Sequence, residues 1–154
     1  MYGKKYEYVD HTADIEFNAF GGSVEEAFKN SALALFDIIS DIKKVKAEET
    51  RTYKIAIKED ADTLENLLWQ FLQSCLSILD AKDRFGFDVH LLKIKVIPGR
   101  NKKYALSSVV LSKKRTETYF KLEAKGVSKY ALKVSEDKKE KNKNFFSTTV
   151  VVDI

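Results

Sequence analysis

The chain has 154 residues, 27 Lys and Arg against 23 Asp and Glu, a formal net charge of +4, and 44% hydrophobic with 12% aromatic residues. That is enough for one ordinary domain, taken as residues 1–154, with a core of its own, and the mild basic excess permits contact with RNA or with an RNA-holding protein without requiring it. No stretch approaches the run of about 20 apolar residues that a membrane span needs, the opening MYGKKYEYVD lacks a signal-peptide core, and a single cysteine excludes an internal disulfide and a multi-thiolate zinc site, so the expected compartment is the cytosol.

In chain order, Tyr6 to Val9 reads as a short strand, and Ile15-Glu16-Phe17-Asn18-Ala19 alternates with the period of a half-buried strand before Gly21-Gly22 breaks it. Ser23 and Glu26 have capping-box spacing, and Val24, Ala27, Phe28, Ser31, Ala32, Leu35 and Phe36 recur at helical steps, which predicts an amphipathic helix. A charged connector, Asp41 to Thr50, leads to a strand in which Tyr53, Ile55 and Ile57 share the buried face. Asp62 and Glu65 have cap spacing for a second helix with the broad apolar face Leu64, Leu67, Leu68, Phe71, Leu72, Cys75, Leu76 and Leu79. In that helix Cys75 reads as a small buried hydrophobe and the bordering Trp69 as a packing residue.

From Phe85 onward the texture is β. Phe87, Val89 and Leu91 alternate, then Leu92, Ile94 and Val96 carry the apolar side, a slip of phase that predicts a bulge near Leu91. After the turn Pro98-Gly99-Arg100-Asn101, further strands are predicted over Ala105–Leu111 and Glu117–Leu122. A last pair is predicted over Leu132–Val134 and Phe145–Val152, around a loop with a mixed charge run that includes Lys138 to Lys143. Strand follows strand in this half, so the expected class is α+β: two helices on one face of a mixed, largely antiparallel sheet.

The catalytic inventory is thin. There is no GxxxxGK[ST], no GxGxxG and no nucleophile elbow. Two constellations stand out. Asp10-His11-Thr12-Ala13-Asp14 concentrates carboxylates, an imidazole and a hydroxyl between two strands; such density can hold a metal, although residue types alone favour a polar turn. At the other end, Thr148 to Ile154 is a β-branched run that continues to the last residue and sets the Asp153 side chain beside the α-carboxylate of Ile154. Two adjacent anions in a partly buried place need a compensating cation, and either a divalent ion or a neighbouring Lys or Arg satisfies that. If the cation is a metal, the oxygen donors suit calcium, magnesium or manganese better than zinc, with His11 beside the ligands and not among them.

The run Asp10-His11-Thr12-Ala13-Asp14-Ile15, the helix start Ser23-Val24-Glu25-Glu26-Ala27-Phe28 and the final Val152-Asp153-Ile154 together resemble the archease family over essentially the whole chain. Glu123-Ala124-Lys125-Gly126-Val127-Ser128 is similar to the family's Glu-x-Lys-Ala-Ile-Thr segment. The family pattern continues with Tyr-His where this chain has Lys129-Tyr130, so that histidine's role does not transfer. The resemblance implies a non-catalytic activator of the GTP-dependent RtcB-type RNA ligase of tRNA splicing, which promotes ligase guanylylation and multiple turnover and meets tRNA through the ligase. It also implies a divalent metal, calcium in the family, held by Asp14, Asp153 and Ile154, with Asp10 a less secure ligand and Glu123 and Lys125 candidates for the ligase-facing surface.

Two other readings compete. Arg84-Phe85-Gly86-Phe87 partly resembles the aromatic strand of an RNA-recognition motif, but the spacing fails and Phe85 and Phe87 stand in phase with core positions. Asp10, His11, Asp14 and Asp153 could serve a metal-dependent phosphohydrolase, which needs a base or a second metal position that the sequence does not display.

Overall fold

A computed structural model describes residues 3–10, 14–99, 101, 103–138 and 144–154. His11, Thr12 and Ala13 of the first acidic cluster and Lys139 to Lys143 of the charged loop lie outside the described residues.

The first hairpin is β1 (Tyr6–Asp10) and β2 (Asp14–Gly21). Helix α1 (Val24–Ile39) begins where expected: the Ser23 hydroxyl accepts from the Glu26 N–H, and the Glu26 carboxylate reaches back to the Gly22 N–H at 2.8 Å. This helix is more buried than its predicted single stripe. Leu33, Ala34, Ile38 and Ile39 are interior as well as Phe28, Leu35 and Phe36. A helix that is apolar on nearly all sides must be covered on nearly all sides, and α1 accordingly contacts strands from two sheets.

The charged connector is not all loop: it holds a short helix, α2 (Ile42–Ala47), capped by Asp41 and anchored by the buried Val45. Strand β3 (Tyr53–Ala61) buries Ile55 and Ile57 as the alternation requires. Helix α3 (Leu64–Ala81) is capped by Thr63 and not by Asp62: Thr63 is the extended residue whose hydroxyl accepts from the Asn66 N–H, while Asp62 bonds the Asn66 side-chain amide. Its inner face is the predicted one, and Cys75 is fully buried, which pushes its thiol pKa well above the ordinary range and leaves it inert.

Strand β4 (Arg84–Val96) pairs with β5 (Tyr104–Lys114) and slips register between His90 and Lys93. There Leu91 adopts φ 53° and stands 72% exposed, as the phase slip predicted; a second slip lies between Gly86 and Asp88. Residues 117–122 do not make the predicted strand. They run irregularly across the end of α1, joined to it by one bridge, Ser40 to Phe120, and by the Lys121 N–H to Ile39 O at 2.8 Å. The last strands are β6 (Gly126–Val127), β7 (Lys133–Lys138) and β8 (Asn144–Asp153).

The α+β class and the antiparallel pairing stand. The strands nevertheless form two hydrogen-bonded sheets where one was expected: β1-β2-β8-β6, with β7 also on β8, and β3-β5-β4. The nearly encircled α1 explains the division, because a single sheet would leave its second apolar side in water. The core is one cluster that runs from Phe17 and Phe28 through Leu67, Phe71 and Leu72 to Val110 and Val150. No described helix is long and apolar enough to cross a membrane.

Gly86 sits where this packing is tightest. A Cβ there would lie 2.9 Å from both Leu79 Cδ1 and Phe36 Cζ, inside real contact distances. Gly86→Ala is therefore expected to lower stability by about 1–3 kcal/mol, the usual cost of overpacking. Denaturant unfolding measures this, and an unchanged midpoint would show that the core has slack at this position.

Candidate metal centre

Strands β2 and β8 run antiparallel along their full pairing, from Gly21 opposite Phe146 to Asp14 opposite Asp153. The two aspartates far apart in sequence are thus direct cross-strand neighbours. Facing residues of an antiparallel pair project to the same side, with Cβ atoms about 4.5–5.5 Å apart. Along the other edge of β8, Asp153 pairs with Gly126, whose missing side chain leaves that flank open. The Lys125 N–H donates to Asp153 O at 2.7 Å, so the segment expected to face the ligase is laced to the same strand end, with the Glu123 and Lys125 side chains exposed. Ile154 packs partly buried against the core, so the terminus is held and not frayed.

Asp10 is placed differently. Its register partner is Ile15, which pairs with Val152, so Asp10 belongs to the neighbouring cross-strand row and not to the row of Asp14 and Asp153. Glu16 stands two residues beyond Asp14 on β2 and so projects to the same side of the sheet, a further carboxylate that belongs to neither acidic constellation of the sequence. Among the described residues no group of three or more His, Cys, Asp and Glu side chains converges tightly enough to hold a metal. Asp14 and Asp153 are a facing pair, and a further donor would have to come from elsewhere, such as the Ile154 carboxylate. Hard oxygen donors of this kind fit calcium.

Three attachments fix β8 and the strands that flank the pair. On β8, the Thr148 and Ser31 hydroxyls meet at 2.7 Å in the interior, tying the strand to α1. On β6, helix α3 grips both backbone groups of Val127: Trp69 Nε1 donates to its carbonyl at 2.8 Å, and Gln73 Oε1 accepts from its N–H at 3.1 Å. Trp69 therefore packs, as expected, but also holds β6 against β8. The signal available in the sequence was the i, i+4 spacing of Trp69 and Gln73 on one helix face. On β1, Tyr6 donates to Asp37 at 3.1 Å and Tyr8 to the Ala34 carbonyl at 3.0 Å, with the Tyr8 ring edge-on to Phe17. Phe85 and Phe87 are buried, at 2% and 7% exposure, which removes them as base-stacking surfaces.

The match to known proteins is as extensive as this geometry suggests. The model of the Archease protein family matches residues 6–154, and the chain is 34% identical to protein archease of Methanosarcina barkeri over 99% of its own length and 97% of the relative's. The chain belongs to the archease family. Protein archease of Methanosarcina mazei is 35% identical over the same shares of both chains, and that of Thermococcus kodakarensis is 32% identical over 85% of this chain and 88% of the relative. The solution structure of Methanobacterium thermoautotrophicum protein 1598 superposes with a TM-score of 0.70 over 97% of this chain and 99% of that one, at 24% identity, so this archease-family chain shares its fold.

Burial, then the neighbouring Asp37 charge and hydrogen bond, push the Tyr6 phenol from its ordinary 10.0 up to about 12, and burial raises Tyr8 further. The folded state favours the neutral phenol of Tyr6, so its contribution to stability is complete below pH 10 and is lost as the pH rises from 10 toward about 12. Alkaline titration followed by phenolate absorbance should show these two tyrosines ionising late, together with loss of β1 from α1. Tyr6→Phe should flatten the fall in stability across that window, and an unchanged profile would exclude Tyr6 as its source.

Proposed function

We propose that this protein is a non-catalytic, metal-binding activator of the GTP-dependent RtcB-type RNA ligase of tRNA splicing, acting in the cytosol and meeting tRNA through the ligase. Membership of the archease family supports the partner, and the facing of Asp14 and Asp153 across β2 and β8 supports the metal. In this reading Asp14 and Asp153 hold a divalent ion, calcium by the hardness of the donors, with the α-carboxylate of Ile154 as the third donor. When bound, the ion would offset most of the charge of carboxylates that otherwise repel one another and would tie the ends of the two strands together. The chain's own part is positional. The β2–β8 ladder sets the spacing of the two carboxylates, Trp69 and Gln73 hold β6 beside them, and exposed Glu123 and Lys125 flank the edge that docks on the ligase. Promotion of guanylylation and of multiple turnover then comes from docking that resets the ligase's metal- and nucleotide-bound state.

Thermal unfolding separates the metal from the fold. Without divalent ions, Asp153→Ala should be as stable as the parent or up to about 1 kcal/mol more stable, because it removes a like-charge facing pair, and Asp14→Ala should still fold. At calcium a hundredfold above its dissociation constant the parent alone should gain about 2.7 kcal/mol. In ligase guanylylation assays both variants should fail to stimulate. Full stimulation by two well-folded variants would sink the proposal.

A further inference from the structure

Strand β4 is an outer strand of the three-stranded sheet. It pairs with β5 alone, and among the described residues no other backbone hydrogen bond reaches residues 91–96. One row of N–H and C=O groups along this stretch therefore lacks a strand partner, and such a row is a template for a further strand.

Charge ordinarily blunts an edge of this kind, and here it does so on one face only. Beyond the bulge the side chains alternate. Exposed Lys93 and Lys95 stand on the outer side, and Leu92, Ile94 and Val96 on the other, where Ile94 faces the buried Leu106. Among the described residues neither lysine has a carboxylate within ion-pair distance. On the apolar side Leu92 and Ile94 are half-buried and Val96 is 69% exposed, so apolar surface that a neighbouring strand would cover stands open.

The bulge adds a socket. At φ 53° Leu91 occupies the left-handed region, where its Cβ is strained and a glycine would not be, yet its side chain is exposed and gains the fold little burial. It borders a cavity of about 510 Å³ between β4, β5 and the first turns of α1, with Val89, Leu92, Val109 and Leu111 on the same apolar wall. Glu25 and Glu26 are matched there by Lys29 and Lys54, so the space suits an apolar side chain and not an ion.

A second copy of the chain fits this edge poorly. A two-fold antiparallel pairing centred on Lys93, Ile94 or Lys95 sets lysine opposite lysine in each case, and facing like charges destabilise a ladder. The complementary occupant carries carboxylates opposite Lys93 and Lys95 and apolar residues opposite Leu92, Ile94 and Val96.

We propose that the outer edge of β4, from Leu91 to Val96, binds an extended segment of another protein in which acidic and apolar residues alternate, added as a fourth strand with a bulky apolar side chain in the cavity beside Leu91. The site belongs to the other sheet from the Asp14–Asp153 pair and depends neither on the metal nor on the ligase.

Fluorescence anisotropy of a labelled, end-blocked peptide FEVEVEF, whose symmetric sequence lets it pair in either direction, tests this against the full chain. Saturable binding is expected, at least about tenfold tighter than that of the charge-reversed FKVKVKF, because the facing pairs change from attractive to repulsive. The double variant Lys93→Glu with Lys95→Glu should reverse that order, and Asp14→Ala should bind as the parent does. Leu91→Gly, which relieves the backbone and removes part of the socket wall, should be at least as stable as the parent in thermal unfolding yet bind the peptide more weakly. A peptide N-methylated at two adjacent central residues loses donors on both of its edges and should not bind. The proposal is overturned by no saturable binding at millimolar concentration, by equal affinity for the two peptides, by full binding of the N-methylated form, or by unchanged preference in the folded double variant. Sedimentation of the chain alone gives the remaining outcome: a dimer that Val96→Lys dissolves would assign the edge to a second copy and overturn the proposal as well.

Discussion

The structure depends on one ladder, the antiparallel pairing of β2 with β8. It joins the first regular segment after the opening hairpin turn to the last strand of the chain, with Asp14 opposite Asp153 at one end and Gly21 opposite Phe146 at the other. Because side chains on a strand alternate with period two, a slip of a single residue would carry Phe17, Val150 and Val152 out of the core and move Asp14 off Asp153. Burial of those apolar residues therefore fixes the register, and the register places the carboxylates. The core does not merely support the candidate site; it determines which residues face one another.

The nearly complete burial of α1 is the second constraint. A helix with Phe28, Leu33, Leu35, Phe36, Ile38 and Ile39 interior cannot rest on one sheet with its back to water, and both sheets contribute to its cover. The Ser31 and Thr148 hydroxyls satisfy each other inside that interface and so avoid the cost of an unpaired buried polar group. Helix α3 is more conventional, with one buried face, and its Trp69 and Gln73 use their polar atoms to hold a two-residue strand that has little pairing of its own.

Charge is distributed unevenly over this frame. Carboxylates gather at the β2–β8 strand ends, whereas basic side chains gather where β3, β4 and β5 meet α2, and there they rest on aromatic rings. Both arrangements put like charges near one another. Facing like charges repel unless something of opposite charge offsets them, which supports a cation between Asp14 and Asp153 at the strand ends.

Much of this was legible in the sequence. Periodicity located α1, α3, β3 and β8; the phase slip at Leu91 predicted a bulge; and the positions of Phe85 and Phe87 marked them as core, because each of these signals is local and the side-chain period reports it directly. Short segments were not legible: α2 is too brief to show a period, and residues 117–122 alternate like a strand yet have only one bridge to pair with. The residue types also marked the two anionic ends of the chain, but not whether a metal or a neighbouring base would balance the second. Only the tertiary structure decided that Asp14 meets Asp153 while Asp10 falls in the next row, that Trp69 holds β6, and that Arg51, Arg84 and Tyr53 converge. Apart from Arg51 on Tyr53, those contacts join residues 31 to 139 positions apart, and no local pattern encodes which strand a strand will choose; the choice belongs to the burial of the whole core.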